Sequence, residues 1–324
     1  MGQPPIEVAA VRVAVRRALT DLPAGALVLV GCSGGADSLA LAAATAFEAR
    51  RAAWRAGLVT VDHGLQPDSA AQAERVRGWA VRAGFDPVEV AAVTVGRAGG
   101  PEAAARAARY AALDGVADQW GAAAILLGHT LDDQAETVLL ALARGSGARS
   151  LSGMASTRGR YRRPLLGVSR AVTVAACAGE GIDHWQDPHN ADTTYARVRV
   201  RAVLRALEEA APGATDGLAR SAALLRADAD ALDEIAQLAG VALATPDGTL
   251  SCEELAELRP AVRSRVLRAA ALAAGAPAGA LTAAHLAAVD ALVVHWCGQG
   301  AVSLPGGVQA ARRSGRLAFD TPPR

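Results

Sequence analysis

The feature that most constrains this chain is an apolar, strand-like run that leads directly into a glycine turn. Residues 27–30 are Leu-Val-Leu-Val, the run stops at Gly31, and an Ala/Leu-rich helical pattern begins just after Ser38. Between them lies the sequence Ser33-Gly34-Gly35-Ala36-Asp37-Ser38. Glycines let the backbone turn tightly and approach a bound group, and the unpaired amides that open the next helix lie at its positive end. The stretch predicts a phosphate-binding turn, with an ordinary glycine-rich strand-to-helix turn as the alternative.

The composition excludes the lysine-bearing nucleotide loop, which requires the pattern G-x-x-x-x-G-K-[ST]. The chain contains no lysine, so its 33 basic residues are all arginine. This use of arginine indicates a compositional bias of the genome rather than a function. With a net charge of only +1, the protein as a whole does not attract a polyanion. A nucleic acid would therefore have to bind a local basic patch.

Length, cysteine content and hydropathy set the broad class of protein. The 324 residues are enough for about two domains. The four cysteines (Cys32, Cys177, Cys252 and Cys297) contain no C-x-x-C pair, which argues against a zinc ribbon, a thioredoxin-like pair and a ferredoxin-type cluster. Sparse cysteine fits a reducing compartment. The N-terminus has no signal pattern, and no apolar run approaches the roughly 18–20 residues that cross a bilayer. We therefore expect a cytoplasmic protein with no membrane partner.

Strand-like runs alternate with helical periodicity through the first half of the chain. The predicted order is helix 6–20, strand to Gly31, helix 39–51, strand 58–63, helix 69–83, strand 88–95, helix 102–119, strand 123–127 and helix 131–143. This alternation predicts an α/β fold, a mostly parallel sheet with helices on both faces. Residues 155–201 are predicted to be a basic loop, and the next helix starts near Val203. A break at Pro212-Gly213 separates a first domain, 1–213, from a smaller, mainly helical domain, 214–324, whose end (302–319) could form a hairpin.

Polar clusters follow three of the predicted strands, at 33–38, at Asp62-His63 and at 129–136. Ligands of such sheets bind beyond the carboxyl ends of the strands, so we expect one shared site. In the last cluster, Asp133 and Glu136 share a helix face, and Asp132 lies close to it. Paired carboxylates suit an ammonium group or Mg²⁺. Alternatively, Thr130 caps the helix and the acids stabilise its first turn, and periodicity does not decide between these two interpretations.

Several arginine groups could bind phosphate or nucleic acid. Arg106 and Arg109 lie one helical turn apart, either to hold phosphate or as a solvated face. Basic residues beside Tyr161 resemble single-stranded nucleic-acid surfaces, although a flexible basic loop would have the same composition. The even spacing of Arg197, Arg199 and Arg201 predicts an extended segment. The segment with His184, Asp187 and His189 offers too few ligands to predict a metal site.

Taken in order, these motifs resemble the tRNA(Ile)-lysidine synthetases, N-type members of the PP-loop ATP pyrophosphatases. The matching pieces span about residues 25–205: 33–38, 61–65, 102–110, 128–137, 144–147, 163–166, 187–192 and 197–201. Two positions depart from the family pattern. Val198 replaces an asparagine and Arg205 replaces a proline, which puts the local backbone of that segment in doubt.

The resemblance implies a ligase that uses ATP and Mg²⁺ to join L-lysine to the wobble cytidine of tRNA(Ile) with a CAU anticodon, through an adenylated cytidine. The implied catalytic residues are Asp37, which would also hold Mg²⁺, and Arg109, His129 and Arg201, which would face charge at the α-phosphate. The implied ATP-binding residues are Ser33, Gly34, Gly35, Ala36, Asp37, Ser38, Asp62 and His63. Asp132, Asp133 and Glu136 would bind lysine. Arg158, Arg160, Arg162, Arg163, Arg197, Arg199 and Arg205 would bind tRNA, and residues 214–324 would help dock it.

Other functions stay open from the sequence. A PP-loop tRNA thiolation enzyme would use catalytic or cluster-bound cysteines; no suitably spaced pair is present, although Cys32 lies in the loop itself. An amidotransferase would need a further domain. A catalytically silent nucleotide- or tRNA-binding module is the alternative from another class. The sequence does not fix the oligomeric state, so a homodimer also stays open.

Overall fold

A computed structural model describes residues 3–64, 68–94, 96, 101–185, 194 and 196–320, with only the backbone described at 101–103. The chain forms two compact units, Met1–Leu224 and Leu225–Arg324. This division falls within a helix, Ala214–Leu243, rather than at the Pro212-Gly213 break where the sequence analysis places the domain boundary. Pro212 and Gly213 lie just before that helix begins.

The first unit alternates strands and helices. Its strands are β1 (Leu27–Gly31), β2 (Arg55–Asp62), β3 (Val88–Ala92), β4 (Ala124–Leu127), β5 (Thr157–Arg158) and β6 (Tyr161–Arg162). Its helices are α1 (Ile6–Ala18), α2 (Ala36–Ala52), α3 (Ser69–Ala83), α4 (Pro101–Trp120), α5 (Leu131–Ala143), α6 (Ala148–Leu151), α7 (Arg170–Gly179) and α8 (Ala196–Ala210), followed by the start of α9 (Ala214–Leu243).

The strands form one sheet in the order β3-β2-β1-β4-β6-β5. All neighbours are parallel except β5 and β6, which are antiparallel. The predicted mostly parallel α/β fold is thereby confirmed. Because β1 lies between β2 and β4, the carboxyl ends of these strands meet at one edge, which brings together the three polar clusters found in the sequence.

The side chains of β1 alternate between the two faces of the sheet. Val28 and Val30 pack in a cluster with residues of α1, α2, α3 and α7. Leu27 and Leu29 face the opposite way and pack with Leu113 and Ala117 of α4. The strand is buried on both faces, which explains why its sequence is continuously apolar rather than alternating.

The second unit combines helices with a small antiparallel sheet. It holds the end of α9, the helices α10 (Cys252–Glu257), α11 (Pro260–Ala273) and α12 (Ala283–Val294), and the strands β7 (Leu250–Ser251), β8 (Val302–Ser303), β9 (Gln309–Arg313) and β10 (Arg316–Asp320). The sheet order is β7-β10-β9-β8. The predicted hairpin is β9–β10, joined by Ser314 and Gly315, which both have positive φ, as a two-residue turn of type I′ requires. In the described part of the chain, no helix is long and apolar enough to span a bilayer.

Three local predictions are wrong. Helix α2 begins at Ala36 rather than Leu39, so Asp37 and Ser38 lie in its first turn. The segment predicted as a loop contains β5, β6 and the helix α7. Helix α8 begins at Ala196, so Arg197, Arg199 and Arg201 lie on a helix and not on an extended segment. The even spacing misled the prediction because a helix places residues four apart, not two apart, on the same face.

Candidate active site

Ser38 fixes the turn between β1 and α2. Its Oγ accepts a hydrogen bond from the Ser33 amide at 3.1 Å and donates one to the Gly35 carbonyl at 2.9 Å. Gly34 has φ +82°, and a Cβ added there would lie 2.3 Å from Nε2 of Gln72. Gly35 caps the helix without a side-chain bond, and the first amides of α2 have no acceptor within the helix. The turn therefore has a fixed shape and offers backbone donors to an anion.

Asp37 is held by the first turn of α7. Its Oδ2 accepts from Nε of Arg170 at 3.2 Å, and its Oδ1 accepts from the hydroxyl of Thr173. Burial raises the pKa of Asp37, and the nearby Asp133 adds to this, while Thr173 and Arg170 partly offset it. The carboxylate therefore lies in a partly desolvated position with both oxygens oriented.

The acidic cluster after β4 reaches the same arginine. Thr130 is the N-cap of α5, and Oδ2 of Asp133 accepts from the Thr130 amide at 2.8 Å, so these two residues form a capping box. Oδ1 of Asp133 also accepts from Nη2 of Arg170 at 2.9 Å. Burial raises the pKa of Asp133, but Arg170 and the Thr130 amide more than offset it, so the pKa lies below its usual value. The capping interpretation is thus correct for Asp133, and it does not exclude a role in binding.

Glu136 is the most buried acid of this cluster, with its side chain 2% exposed. Its Oε1 accepts from Nε of Arg201 at 2.7 Å and lies 3.7 Å from Nη1 of Arg170. Its Oε2 is buried and has no hydrogen-bond partner among the described residues. Burial raises the pKa of Glu136 despite the two arginines. Oε2 is therefore an acceptor suited to an additional cationic donor.

Asp132 takes a different position from its two neighbours. Its Oδ2 accepts from the backbone amide of Arg170 at 2.7 Å. It therefore fixes the start of α7 and, through it, the arginine that contacts the other acids.

Two histidines lie at the same edge of the sheet, beside a group of arginines. Burial lowers the pKa of His129 to about 3, with Asp133 opposing and Arg163, Arg106 and Arg109 adding to the effect. Burial and Arg109 likewise lower the pKa of His63. In both rings Nδ1 is buried without a partner among the described residues. These side chains are therefore neutral at physiological pH and act as hydrogen-bonding groups rather than as charges.

Sequence comparisons identify the family of this chain. A PP-loop domain model matches residues 10–207, and a TilS substrate binding domain model matches residues 250–318. A tRNA(Ile)-lysidine synthase from Thermobifida fusca is 58% identical over 319 residues, which cover 98% of this chain and 98% of that protein. A tRNA(Ile)-lysidine synthase from Streptomyces coelicolor is 55% identical and covers 98% and 99% of the two chains. This chain belongs to the tRNA(Ile)-lysidine synthase family.

The fold of this lysidine synthase family member is also found in a thiolase. The U34-tRNA thiolase NcsA from Methanococcus maripaludis, solved with its [4Fe-4S] cluster, aligns with a TM-score of 0.59 and 18% identity, over 68% of this chain and 80% of that one. The likeness concerns the fold alone. In this chain the four cysteines are free, and no group of three or more His, Cys, Asp or Glu among the described residues is placed to hold a metal ion.

The remaining ATP-site residues predicted for this family member lie at the same edge of the sheet. Asp62 ends β2, and its Oδ1 accepts from the Gly64 amide at 2.9 Å. That bond is the main reason why the pKa of Asp62 is lowered. Ala36 opens α2, and its carbonyl accepts from Sγ of Cys177 at 3.4 Å. Arg109 is exposed on α4.

The predicted tRNA-binding arginines have different surroundings. Arg160 pairs with Asp118 at 2.6 Å and Arg162 with Asp21 at 2.7 Å. Arg163 is only 6% exposed and donates to the Ala155 carbonyl at 2.8 Å, so it lies within the fold rather than on its surface. Arg158 is exposed on β5.

The other predicted tRNA-binding arginines lie on α8. Arg197, Arg201 and Arg205 are four residues apart and share one face of that helix, while Arg199 points elsewhere. Arg199 and Arg205 are exposed.

Arg170 and Thr173 both contact Asp37 but were not predicted from the sequence as site residues. A local signal was present, because Ser169 followed by nine residues without Gly or Pro before Gly179 is a pattern typical of a helix start. The motif at 187–192, which includes His189, lies outside the described residues, and so does Leu65.

Proposed function

We propose that this chain ligates L-lysine to C2 of the wobble cytidine of tRNA(Ile) with a CAU anticodon, using ATP. Membership of the lysidine synthase family supports the reaction. The observation that carries the assignment to this site is the convergence of the phosphate-binding turn with Asp37, Asp133 and Glu136 at one edge of the sheet. Anion donors and carboxylates at one place suit a reaction between a nucleoside triphosphate and an amine.

In the first step, the cytosine O2 would attack the α-phosphorus of ATP, and the bond to pyrophosphate would break. Ser33, Gly34, Gly35, Ala36 and Ser38 would hold the departing pyrophosphate through amides and hydroxyls, with Asp62 and His63 beside the nucleotide. Arg109 would stabilise charge at the α-phosphate. His129 would do so as a neutral hydrogen-bond donor, because its pKa of about 3 keeps it uncharged. Arg201 contacts Glu136, so its role would extend to the lysine side of the site.

The carboxylate of Asp37 fits a magnesium ion. Mg²⁺ prefers one or two carboxylates together with substrate phosphate oxygens, and each oxygen of Asp37 keeps a lone pair beyond its single hydrogen bond. When bound, Mg²⁺ would neutralise negative charge on the phosphates. Asp37 would contribute the protein ligand, oriented by Thr173 and Arg170.

In the second step, the ε-amine of lysine would form a bond to C2 while the C2–O bond to AMP breaks, and the amine would release a proton. Asp133 and Glu136 would bind the ammonium groups of the amino acid, and the unpartnered Oε2 of Glu136 supports this role. Asp132 would act indirectly, since it contacts the Arg170 amide. The target base would have to leave its anticodon stack to enter the site.

For tRNA binding, we propose the exposed arginines Arg158, Arg199 and Arg205, with Arg160, Arg162 and Arg197 near the same RNA backbone. The match of residues 250–318 to a substrate binding domain supports a docking role for residues 214–324. Because tRNA is the substrate, we place the reaction in the cytoplasm.

The decisive experiment is nucleoside analysis of the tRNA after incubation with labelled lysine, ATP and Mg²⁺. We expect label in a modified cytidine and release of AMP and pyrophosphate. Incorporation of sulfur would favour a thiolase instead. Release of ADP, or no cleavage of ATP at all, would overturn the proposal, and the second of these results would indicate a silent binding module.

A further inference from the structure

The side chain of Arg170 contacts carboxylates from two separate parts of the sequence. Its Nε donates to Asp37 on α2 at 3.2 Å, and its Nη2 donates to Asp133 on α5 at 2.9 Å. Its Nη1 lies 3.7 Å from Glu136 on the same face of α5. The planar guanidinium presents its donors in a fixed fork, so the three carboxylates are held at set positions relative to one another.

The acids would repel one another without this cation. The proximity of Asp133 contributes to the raised pKa of Asp37 and to that of Glu136. Arg201 contacts Glu136, and Arg170 lies against both Glu136 and Asp37. Arg170 is therefore placed to balance the charge of the metal-binding and amine-binding carboxylates together.

The backbone around Arg170 is also anchored to these elements. Asp132 accepts from the Arg170 amide, and Thr173, one turn further along α7, donates to the second oxygen of Asp37. The first turn of α7 thus connects to both α2 and α5. A displacement of Asp37, or of Asp133 and Glu136, would therefore alter the position of the other through this turn.

We propose that Arg170 is a positioning residue that couples the two half-reactions, because it holds Asp37 for adenylation and Asp133 with Glu136 for lysine transfer. This inference rests on the proposed function. It requires that loss of Arg170 impairs both steps, although each carboxylate serves only one of them. Lysine cannot replace Arg170, because an ammonium is a point charge and cannot reproduce the fork.

The test compares Arg170→Ala, Arg170→Lys and the control Arg12→Ala. Arg12 pairs with Glu180, which directly follows the last residue of α7, at 2.6 Å, so its replacement loosens the other end of the same helix. Two quantities are measured separately: pyrophosphate release from ATP and tRNA without lysine, and the KM for lysine. Thermal unfolding with Mg²⁺ and ATP, and with lysine, gives a readout that does not depend on turnover.

We expect Arg170→Ala to lower the rate of pyrophosphate release and to raise the KM for lysine. Each change should be at least about tenfold, because each step loses at least one charge-assisted hydrogen bond. Both ligand-induced increases in the unfolding temperature should shrink. Arg170→Lys should retain the unfolding temperature of the ligand-free protein but recover neither activity. Arg12→Ala should keep both activities, even if its unfolding temperature falls.

Two results would overturn the coupling. One is a defect of Arg170→Ala and Arg170→Lys in only one half-reaction or in neither. The other is an equal loss of both activities in Arg12→Ala, which would show that the losses come from loosening α7 rather than from the contacts of Arg170. A wild-type protein that cleaves ATP but transfers no lysine to the tRNA would instead refute the proposed function, and the coupling would fall with it.

Discussion

Glu136→Gln removes one negative charge from the site with almost no change in shape. In the structure, Glu136 is 2% exposed, and its Oε2 has no partner among the described residues while Oε1 accepts from Arg201. We propose that Oε2 accepts from an ammonium group of lysine. A hydrogen bond between charged groups contributes roughly 1.5–3 kcal/mol. Since about 1.4 kcal/mol corresponds to a factor of ten, the KM for lysine should rise by about 10- to 150-fold.

The adenylation step should be unaffected by this substitution, because Glu136 makes no described contact with the phosphate-binding turn. Pyrophosphate release measured without lysine should therefore match the wild-type rate. The folded protein should not lose stability either. Burial raises the pKa of Glu136, which means that its ionised form is less favourable in the folded than in the unfolded state. The unfolding temperature of Glu136→Gln should lie at or above that of the wild type.

A matched control is Glu48→Gln. Glu48 is equally buried, and its two oxygens accept from Nε and Nη2 of Arg16 at 2.9 Å each, away from the site. This variant should unfold at a lower temperature but use lysine with the wild-type KM. If Glu136→Gln lowered pyrophosphate release as much as lysine transfer, the assignment of Glu136 to lysine binding would be refuted.

The structure predicts five further outcomes. Asp37→Asn should abolish pyrophosphate release without lowering the unfolding temperature, since burial raises the pKa of Asp37; retained turnover would remove Asp37 from the site. Gly34→Ala should lose roughly 1–3 kcal/mol of stability in denaturant unfolding, because φ is +82° and its Cβ would also lie 2.9 Å from Val76. Gly35→Ala should lose less stability than Gly34→Ala, since the nearest neighbour of its Cβ would be 3.7 Å away and only the poorer preference of alanine for a helix N-cap opposes it. The pKa of Glu136 in the folded protein lies above its ordinary value of 4.5. The contribution of Glu136 to folding stability is therefore complete below pH 4.5 and is lost as the pH rises through the folded pKa. The higher unfolding temperature of Glu136→Gln should accordingly disappear as the pH falls toward 4.5. Arg199→Ala and Arg205→Ala should each weaken tRNA binding and reduce its salt dependence by about one unit of slope, and an unchanged slope would place those arginines away from the RNA.

The sequence alone determined the elements whose signals are local. The apolar run 27–30 predicted β1, and the helix boundaries of α3 and α5 agree with the predicted ones. The motif Ser33–Ser38 marked the glycine turn between β1 and α2 and, with the later motifs, the family. Such features depend on side-chain periodicity and turn chemistry within a few residues, so they are visible without the fold.

Only the tertiary structure revealed the arginine that joins the site. Arg170 and Asp37 are separated by 133 residues in the sequence, and Arg170 and Asp133 by 37. Nothing in the local pattern of α7 marks its first side chain as a partner of either acid. Their contact exists because the parallel sheet places the ends of β1 and β4 side by side, and because α7 packs against α2 beside them. An ion pair between residues so far apart in the sequence depends on how the whole unit packs. No short stretch of the chain encodes that packing.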